Sequence, residues 1–206
     1  MIYSLFYEFC LILIKTLSPF VPKIKEFLKT RDRISNDIRH FNNSNNFVIW
    51  IHCSSLGEFE QIRPLIKKIK KTKRTSEFVI TFFSMSGFNS AKKFSDAKIV
   101  TFLPFDRKKE LNQFITKIRP KILLLIKNEF WPNLIKCVHK AGIKIFSISS
   151  SFRKSQIFFN LFSFGMIAVL KKINFFFVVN ENDKLLLETL NITNVQVTGD
   201  TRFDRV

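Results

Sequence analysis

The sequence predicts an α/β domain with a Rossmann-like parallel sheet, on the strength of three observations. Strand-like and helix-like segments alternate from residue 47 to the end of the chain. The strand-like segments are almost continuously apolar, as expected for parallel strands covered on both faces. Short polar loops follow several of them, at the position where open α/β sheets bind their ligands. At 206 residues, the chain is long enough to bury the core of one such domain.

The first 22 residues are predicted to form a hydrophobic helix, although Glu8 and Lys15 interrupt the apolar run. No stretch reaches the roughly 18 uncharged apolar residues typical of a spanning helix. A secretory signal peptide is not expected, because there is no basic start and no small-residue cleavage site. The seven-residue spacing of the two charges places them on one helical face. An apolar face remains, made of Leu5, Phe6, Phe9, Leu13 and Leu17.

Residues 23–46 form a basic amphipathic segment and a linker. Lys23–Arg33 is rich in Lys and Arg, whereas Asn42–Asn46 is polar and turn-prone. An apolar helix followed by a basic one predicts a segment that lies on an anionic membrane surface. The alternative is an N-terminal helix packed against the domain or against a partner.

Residues 47–206 carry the predicted sheet. The predicted strands are Phe47–Cys53, Phe78–Ser84, Lys98–Phe102, Lys121–Lys127, Ile143–Ser149, Asn174–Val179 and Asn194–Thr198. The predicted helices run through Phe59–Lys71, Asn89–Phe94, Lys108–Ile118, Pro132–Ala141, Phe158–Lys171 and Asp183–Leu190.

Two carboxylates follow predicted strands, and small or cationic residues accompany them. Glu58 lies at a helix start after Ser55 and Gly57, whose backbone N–H groups are free to face a ligand. Glu129 follows another apolar strand. The remaining candidates in strand-end loops are Ser86, Gly87 and Arg153. Such a set suits a sugar or phosphosugar, because a carboxylate can take a proton from a hydroxyl group. The alternative for Glu58 is that it merely complements the helix dipole.

Composition narrows the classes of partner. A formal charge of +18 and a pI near 10.1 favour an anionic partner such as lipid, nucleic acid or a phosphorylated substrate. A+T-biased coding would also raise the Lys, Asn, Ile and Phe content. Nucleic acid is not expected, because no recognised binding module is present. Three cysteines and three histidines without ligand spacing argue against disulfides and structural zinc, and fit a reducing cytoplasm.

Known nucleotide and hydrolase motifs are missing from the sequence. It contains no G-x-G-x-x-G fingerprint, no P-loop and no nucleophile elbow, which counts against dehydrogenases, NTPases and α/β-hydrolases.

Four ordered segments resemble motifs of the 3-deoxy-D-manno-octulosonic acid (Kdo) transferases of lipopolysaccharide synthesis. They are His52–Glu60, Thr81–Gly87, Asn128–Asn133 and Gly199–Arg205. The resemblance covers essentially the whole chain and looks most like the version found in Bacteroidetes-type bacteria. It implies the N-terminal, acceptor-binding half of a GT-B glycosyltransferase, held on the cytoplasmic face of the inner membrane.

The resemblance also implies a reaction. The family transfers Kdo from CMP-Kdo to the lipid A precursor with inversion at the anomeric carbon, without a metal or cofactor. Glu58 would then be the general base and Glu129 part of the acceptor site, with Ser86 and Gly87 lining the same cleft. Ser55, Gly57 and Arg153 are the further substrate-binding candidates, whereas Glu60 is expected to be structural.

Two departures from the family pattern are expected to matter. The family has a second domain that binds CMP, so we expect this chain to need a separate donor-binding domain for transfer. The family's Asn-Ala-Arg-Leu-Ser-like segment is replaced here by Ser147–Phe152, which leaves the acceptor contacts there open. The alternatives are a non-catalytic remnant on the membrane surface and a GT-B transferase with another sugar donor.

Overall fold

The computed structural model describes residues 2–41, 46–156 and 164–201, with only the backbone described for Phe164. One sheet of seven strands runs through them in the order β3-β2-β1-β4-β5-β6-β7. The strands are β1 Phe47–Cys53, β2 Ser76–Phe82, β3 Ile99–Phe102, β4 Ile122–Ile126, β5 Lys144–Ser150, β6 Phe175–Val178 and β7 Val195–Val197. The helices are α1 Ile2–Leu17, α2 Pro22–Asp32, α3 Ile34–Arg39, α4 Leu56–Thr72, α5 Met85–Ala91, α6 Lys108–Ile118, α7 Pro132–Lys140, α8 Phe164–Leu170 and α9 Glu181–Glu188.

Every pairing between neighbouring strands is parallel, which confirms the predicted fold class. Strands β1 and β4 are central and bury consecutive residues on both faces; Ile51 and Leu125, for example, are fully buried. Strand order reverses between them, because β1 continues to β2 on one side and β4 to β5 on the other. This reversal is a topological switch point, where parallel sheets open a crevice beyond their carboxyl ends.

Most predicted elements are found within a few residues of their predicted bounds, and β1 and α6 match them. Helices α4 and α5 begin three and four residues earlier than predicted, at Leu56 and Met85. Their first turns contain Gly57, Ser86 and Gly87, residue types of low helix propensity that are common in loops, so these turns resembled loops in the sequence. The first part of the predicted helix Phe158–Lys171 lies outside the described residues.

Helix α1 packs against the domain through one polar face. The Tyr3 hydroxyl hydrogen bonds to the Asp106 carboxylate, and the Asp106 N–H donates to the Tyr7 hydroxyl at 3.0 Å. Glu8 forms an ion pair of 2.7 Å with Arg107. The packed-helix alternative is therefore confirmed for this face.

The opposite face of α1 is apolar and exposed. It includes the five residues predicted for it, together with Ile2 and Ile12, and it continues to Phe20, which is 81% exposed. By length and composition, none of the described helices could cross a bilayer alone; α1 and the segment Pro22–Arg39 pass that test only as a pair bent by 119°.

Candidate functional site

The two predicted carboxylates lie on either side of the switch point. Glu58 is in the first turn of α4, directly after β1, and Glu129 is in the loop after β4. Strands β1 and β4 are hydrogen-bonded neighbours with their carboxyl ends at the same edge. The structure therefore brings the two carboxylates to one place, close enough for each charge to influence the other.

The Glu58 side chain is half-buried and is held by a hydrogen bond from the backbone. The Ser54 N–H donates a short hydrogen bond to Glu58 Oε2. Burial raises the pKa of Glu58, and the negative charge of Glu129 raises it further, although the Ser54 bond and the nearby His52 and Lys127 oppose this. A carboxylate with a raised pKa is a better proton acceptor than an ordinary surface glutamate.

The pKa of Glu129 is lowered, in contrast to that of Glu58. Burial alone would raise the pKa of Glu129, but the adjacent His52 imidazole and hydrogen bonds from Trp131 and Ser54 outweigh that effect and lower it. Trp131 Nε1–H donates to Glu129 Oε2 at 2.9 Å. Two neighbouring carboxylates whose environments push their pKa values apart are suited to separate roles. Glu129 remains a fixed negative charge, while Glu58 is available to accept a proton.

His52 is a member of the site that the sequence analysis missed. It is fully buried near the end of β1, and its Nδ1 lies 3.1 Å from both the carbonyl oxygen and the hydroxyl of Thr81. Its Nε2 lies 3.5 Å from Glu129 Oε2. The available signals were its place at the end of an apolar strand and its position as the first residue of the family-like segment His52–Glu60.

Lys127 is a second residue that the sequence analysis missed. It follows β4 in a left-handed conformation with φ of 60°, which costs an L-residue of order 1–3 kcal/mol and is concentrated at functional sites. Its positive charge opposes the upward shift in the pKa of Glu58. Ser149, on the adjacent strand, has a similar φ of 54°, so the backbone is strained on two neighbouring strands near this edge.

The predicted ligand-binding residues of α4 are both at least partly exposed, whereas one of the two in α5 is buried. Ser55 is the N-cap of α4, yet its side chain makes no capping hydrogen bond. Gly57 is exposed, with nothing nearer than 4.0 Å to a Cβ built on it. Ser86 is exposed, but Gly87 is buried and its N–H donates to Ser84 Oγ at 3.3 Å. The structure therefore gives Gly87 a packing role, and its contact with substrate stays a prediction.

Arg153 lies in the loop after β5, one strand beyond β4. Its side chain is exposed, and its backbone N–H donates to Gln156 Oε1 at 3.1 Å. Asn128 ties this loop to the Glu129 loop, because its amide donates to the Ser151 carbonyl at 2.7 Å and accepts from the Ser151 N–H. Residues 202–205 of the final motif lie outside the described residues. Among the described residues, no group of three or more His, Cys, Asp or Glu could hold a metal.

The chain is similar to proteins of one family over most of its length. Residues 27–205 match the family described as 3-Deoxy-D-manno-octulosonic-acid transferase (kdotransferase). The chain belongs to the Kdo transferase family. A bifunctional glycosyltransferase/methyltransferase of Fusobacterium nucleatum is 33% identical over 91% of this chain and 30% of its own length. The Kdo transferase of Rickettsia bellii is 28% identical over 77% of this chain and 38% of its own length. The chain therefore spans about a third of the length of these relatives.

Solved structures agree with the fold. UDP-GlcNAc 2-epimerase from Neisseria meningitidis superposes with a TM-score of 0.57 at 16% identity, over 76% of this chain and 47% of that one. The S. aureus MnaA–UDP structure superposes with a TM-score of 0.58 at 14% identity, over 77% of this chain and 46% of that one. At such low identity the likeness concerns the fold alone. It agrees with a Kdo transferase chain that forms one Rossmann-like half of a GT-B architecture.

Proposed function

We propose that this chain is the acceptor-binding half of an enzyme that transfers Kdo from CMP-Kdo to the lipid A precursor. The observation that carries the proposal is Glu58, a half-buried carboxylate with a raised pKa at the switch point beside Glu129. Family membership supports the sugar and the type of reaction. The position and electrostatics of Glu58 support its role as the general base.

The chemical step follows from these groups. An acceptor hydroxyl attacks the anomeric carbon of Kdo from the face opposite CMP, so the new C–O bond forms as the bond to the CMP phosphate breaks. The hydroxyl proton passes to Glu58, and the bonding electrons leave with CMP. This displacement inverts the anomeric centre and, in our proposal, needs no metal or cofactor. The negative charge of Glu129 helps Glu58 to accept the proton, because like charges raise each other's pKa.

The acceptor would lie over the first turn of α4. Gly57 leaves this turn open, and Ser55 has a hydroxyl that makes no capping bond. Ser86 and Arg153 extend the same edge on either side. A guanidinium forms strong paired hydrogen bonds with phosphate, so Arg153 is suited to a phosphate of the lipid A precursor.

We also propose that α1 attaches the chain to the cytoplasmic face of the inner membrane. Its polar face is occupied by the domain and its apolar face is exposed, so the helix would lie flat in the lipid interface. The basic residues of α2, such as Lys23 and Lys25, would contact anionic head groups.

The proposed reaction also needs a donor-binding domain, and the chain spans about a third of the length of the curated relatives. The test combines this chain with a donor-binding domain, labelled CMP-Kdo and a lipid A precursor. Glu58→Gln should reduce transfer by about 100-fold or more, with acceptor binding within twofold of the original chain.

The matched control is Glu60→Gln, two residues further along the same helix. Glu60 forms a partly buried ion pair of 3.0 Å with Arg63, and ion pairs near the protein surface are worth about 1 kcal/mol or less. Transfer should survive this change. Full transfer by Glu58→Gln would refute the role of Glu58 as the general base. Robust transfer by this chain alone would refute the need for an added donor-binding domain.

A further inference from the structure

A cavity of about 380 Å³ lies between the N-terminal helices and the sheet domain. Its walls come from α2 and α3 on one side, and from α6 and the loop before it on the other. The buried lining consists of Arg31, Ile34, Pro104 and Phe114. Its volume falls in the usual range of about 300–1,000 Å³ for small-ligand pockets. None of the predicted site residues lines it.

Arg31 is the unusual member of this lining, because its charge is buried without an acidic partner. The residue is only 8% exposed and forms no ion pair with any residue that the structure describes. Its Nη1 donates to the Phe27 carbonyl and, at 2.9 Å, to Thr30 Oγ1. Its Nη2 donates to the Phe83 carbonyl at 3.1 Å, whereas its buried Nε has no hydrogen-bond partner within the described chain.

Aromatic rings provide part of the compensation for this charge. The guanidinium carbon lies 3.8 Å from the ring centre of Phe27 and 5.0 Å from that of Phe83. Cation–π contacts stabilise a desolvated cation, but by less than the cost of removing an unpaired charge from water. Burial lowers the pKa of Arg31 to about 10, which remains far enough above neutrality for the group to stay charged.

The other charges around the cavity do not cancel Arg31. Glu110 is bound to Arg107 at 3.1 Å. Lys15 and Asp32 are exposed lining residues of opposite charge, and neither forms an ion pair with Arg31 in the part of the chain that the structure describes. The buried part of the cavity therefore combines apolar walls with a cation that has no acidic partner among the described residues.

We propose that this cavity binds an alkyl or acyl chain with an anionic head group. The alkyl chain of the ligand would lie against Ile34, Pro104 and Phe114, and its phosphate or carboxylate would pair with Arg31. Lys15 belongs to α1, whose other face is the exposed apolar surface, so the mouth of the cavity lies next to the surface proposed to contact lipid. The proposal does not depend on the transfer reaction, since binding here needs neither Glu58 nor a donor.

The test uses decyl phosphate below its micelle concentration, with decanol and inorganic phosphate as the two partial ligands. Calorimetry should give binding of decyl phosphate at least tenfold tighter than that of either. In ¹⁵N NMR spectra the Nε–H signal of Arg31 should shift on addition of decyl phosphate. If decanol binds as tightly as decyl phosphate, the role of Arg31 is overturned. If inorganic phosphate binds as tightly as decyl phosphate, the role of the alkyl chain is overturned.

Variants at the exposed mouth keep the test independent of folding. Ser35→Trp fills the cavity and should weaken decyl phosphate binding at least tenfold, while Asn36→Trp, exposed and outside the cavity, should stay within twofold. An unchanged affinity in Ser35→Trp, or no binding of decyl phosphate at all, would overturn the proposal. Phosphatidylglycerol vesicles identify the source: a matching Arg31 shift indicates membrane lipid, and a shift with decyl phosphate alone indicates a free amphiphile.

Discussion

His52 Nε2 lies 3.5 Å from Glu129 Oε2, while Nδ1 of the same ring lies 3.1 Å from the Thr81 carbonyl oxygen. Both ring nitrogens thus face oxygen acceptors, and the imidazole links β2 to the loop after β4. Because the ring is fully buried, Glu129 is paired on a side that water does not reach. This pairing is the main reason why the pKa of Glu129 stays low although burial opposes it.

A lowered pKa makes Glu129 a source of acid sensitivity. Its pKa is lower in the folded than in the unfolded chain, so its contribution to stability is present above the unfolded value near 4.3 and is lost as pH falls through the folded value. Glu129→Gln should therefore flatten the loss of unfolding free energy below pH 5. Urea titrations between pH 3 and pH 7 measure this, and curves of equal slope for the two proteins would contradict it.

The contribution of Glu58 to stability should depend on pH in the opposite sense. Its pKa is raised in the folded chain, so its contribution is present below the unfolded value and is lost as pH rises through the folded value. At pH 7 the folded chain therefore bears the cost of a half-buried charge. Glu58→Gln should stabilise the chain by on the order of 1 kcal/mol at pH 7 and by less at pH 4. Destabilisation at pH 7 would show that the Ser54 hydrogen bond outweighs this cost.

The two glycines of the site should respond differently to alanine. A Cβ at Gly87 would lie 2.5 Å from Phe82 Cδ1 and 3.1 Å from the Leu56 nitrogen, so Gly87→Ala should destabilise the chain by about 1–3 kcal/mol. Gly57→Ala meets nothing nearer than 4.0 Å and should stabilise α4 slightly, since alanine favours helix by about 1 kcal/mol over glycine. Thermal unfolding of both variants checks this, and equal shifts would refute it.

The exposed face of α1 should determine binding to vesicles. Replacing Leu5, Phe6, Phe9 and Leu13 by serine should weaken binding to anionic vesicles at least tenfold, because each buried apolar side chain contributes about 1.5–3 kcal/mol. The melting temperature should hardly change, since these residues are 45–65% exposed. The control is Thr16→Ala, a change of an exposed polar residue on the same helix. Vesicle binding that survives the four substitutions would remove α1 from the membrane contact.

Periodicity in the sequence was sufficient to predict the sheet. Strand β1 and helix α6 have the predicted bounds because their apolar spacing is uninterrupted. The starts of α4 and α5 could not be predicted, because cap and loop residues are the same types. That Glu58 and Glu129 lie at one edge of the sheet could be predicted, because each follows an apolar strand. His52 was missed, because only the pairing of β1 with β2 and β4 brings its ring between Thr81 and Glu129.

The N-terminal helix posed a different problem. Its apolar face was predicted from spacing, but its contact with the domain depends on Tyr3 and Tyr7, whose partner Asp106 lies 99 residues beyond Tyr7. Pairs of such long separation leave no local pattern in a single sequence. The same holds for Arg31, which resembled one more residue of a basic helix and is instead buried among phenylalanines.

Asp106 joins α1 to the start of α7, because its carboxylate accepts the backbone N–H groups of Asn133 and Leu134 at 3.0 and 2.7 Å while it also binds Tyr3. Trp131, which holds Glu129, lies only two residues before Asn133. A few short, directional contacts therefore connect α1 to the loop that carries Glu129. In the proposed membrane contact, the depth of this helix would set the height of the two carboxylates above the lipid surface, and so would select which hydroxyl of an embedded acceptor could reach them.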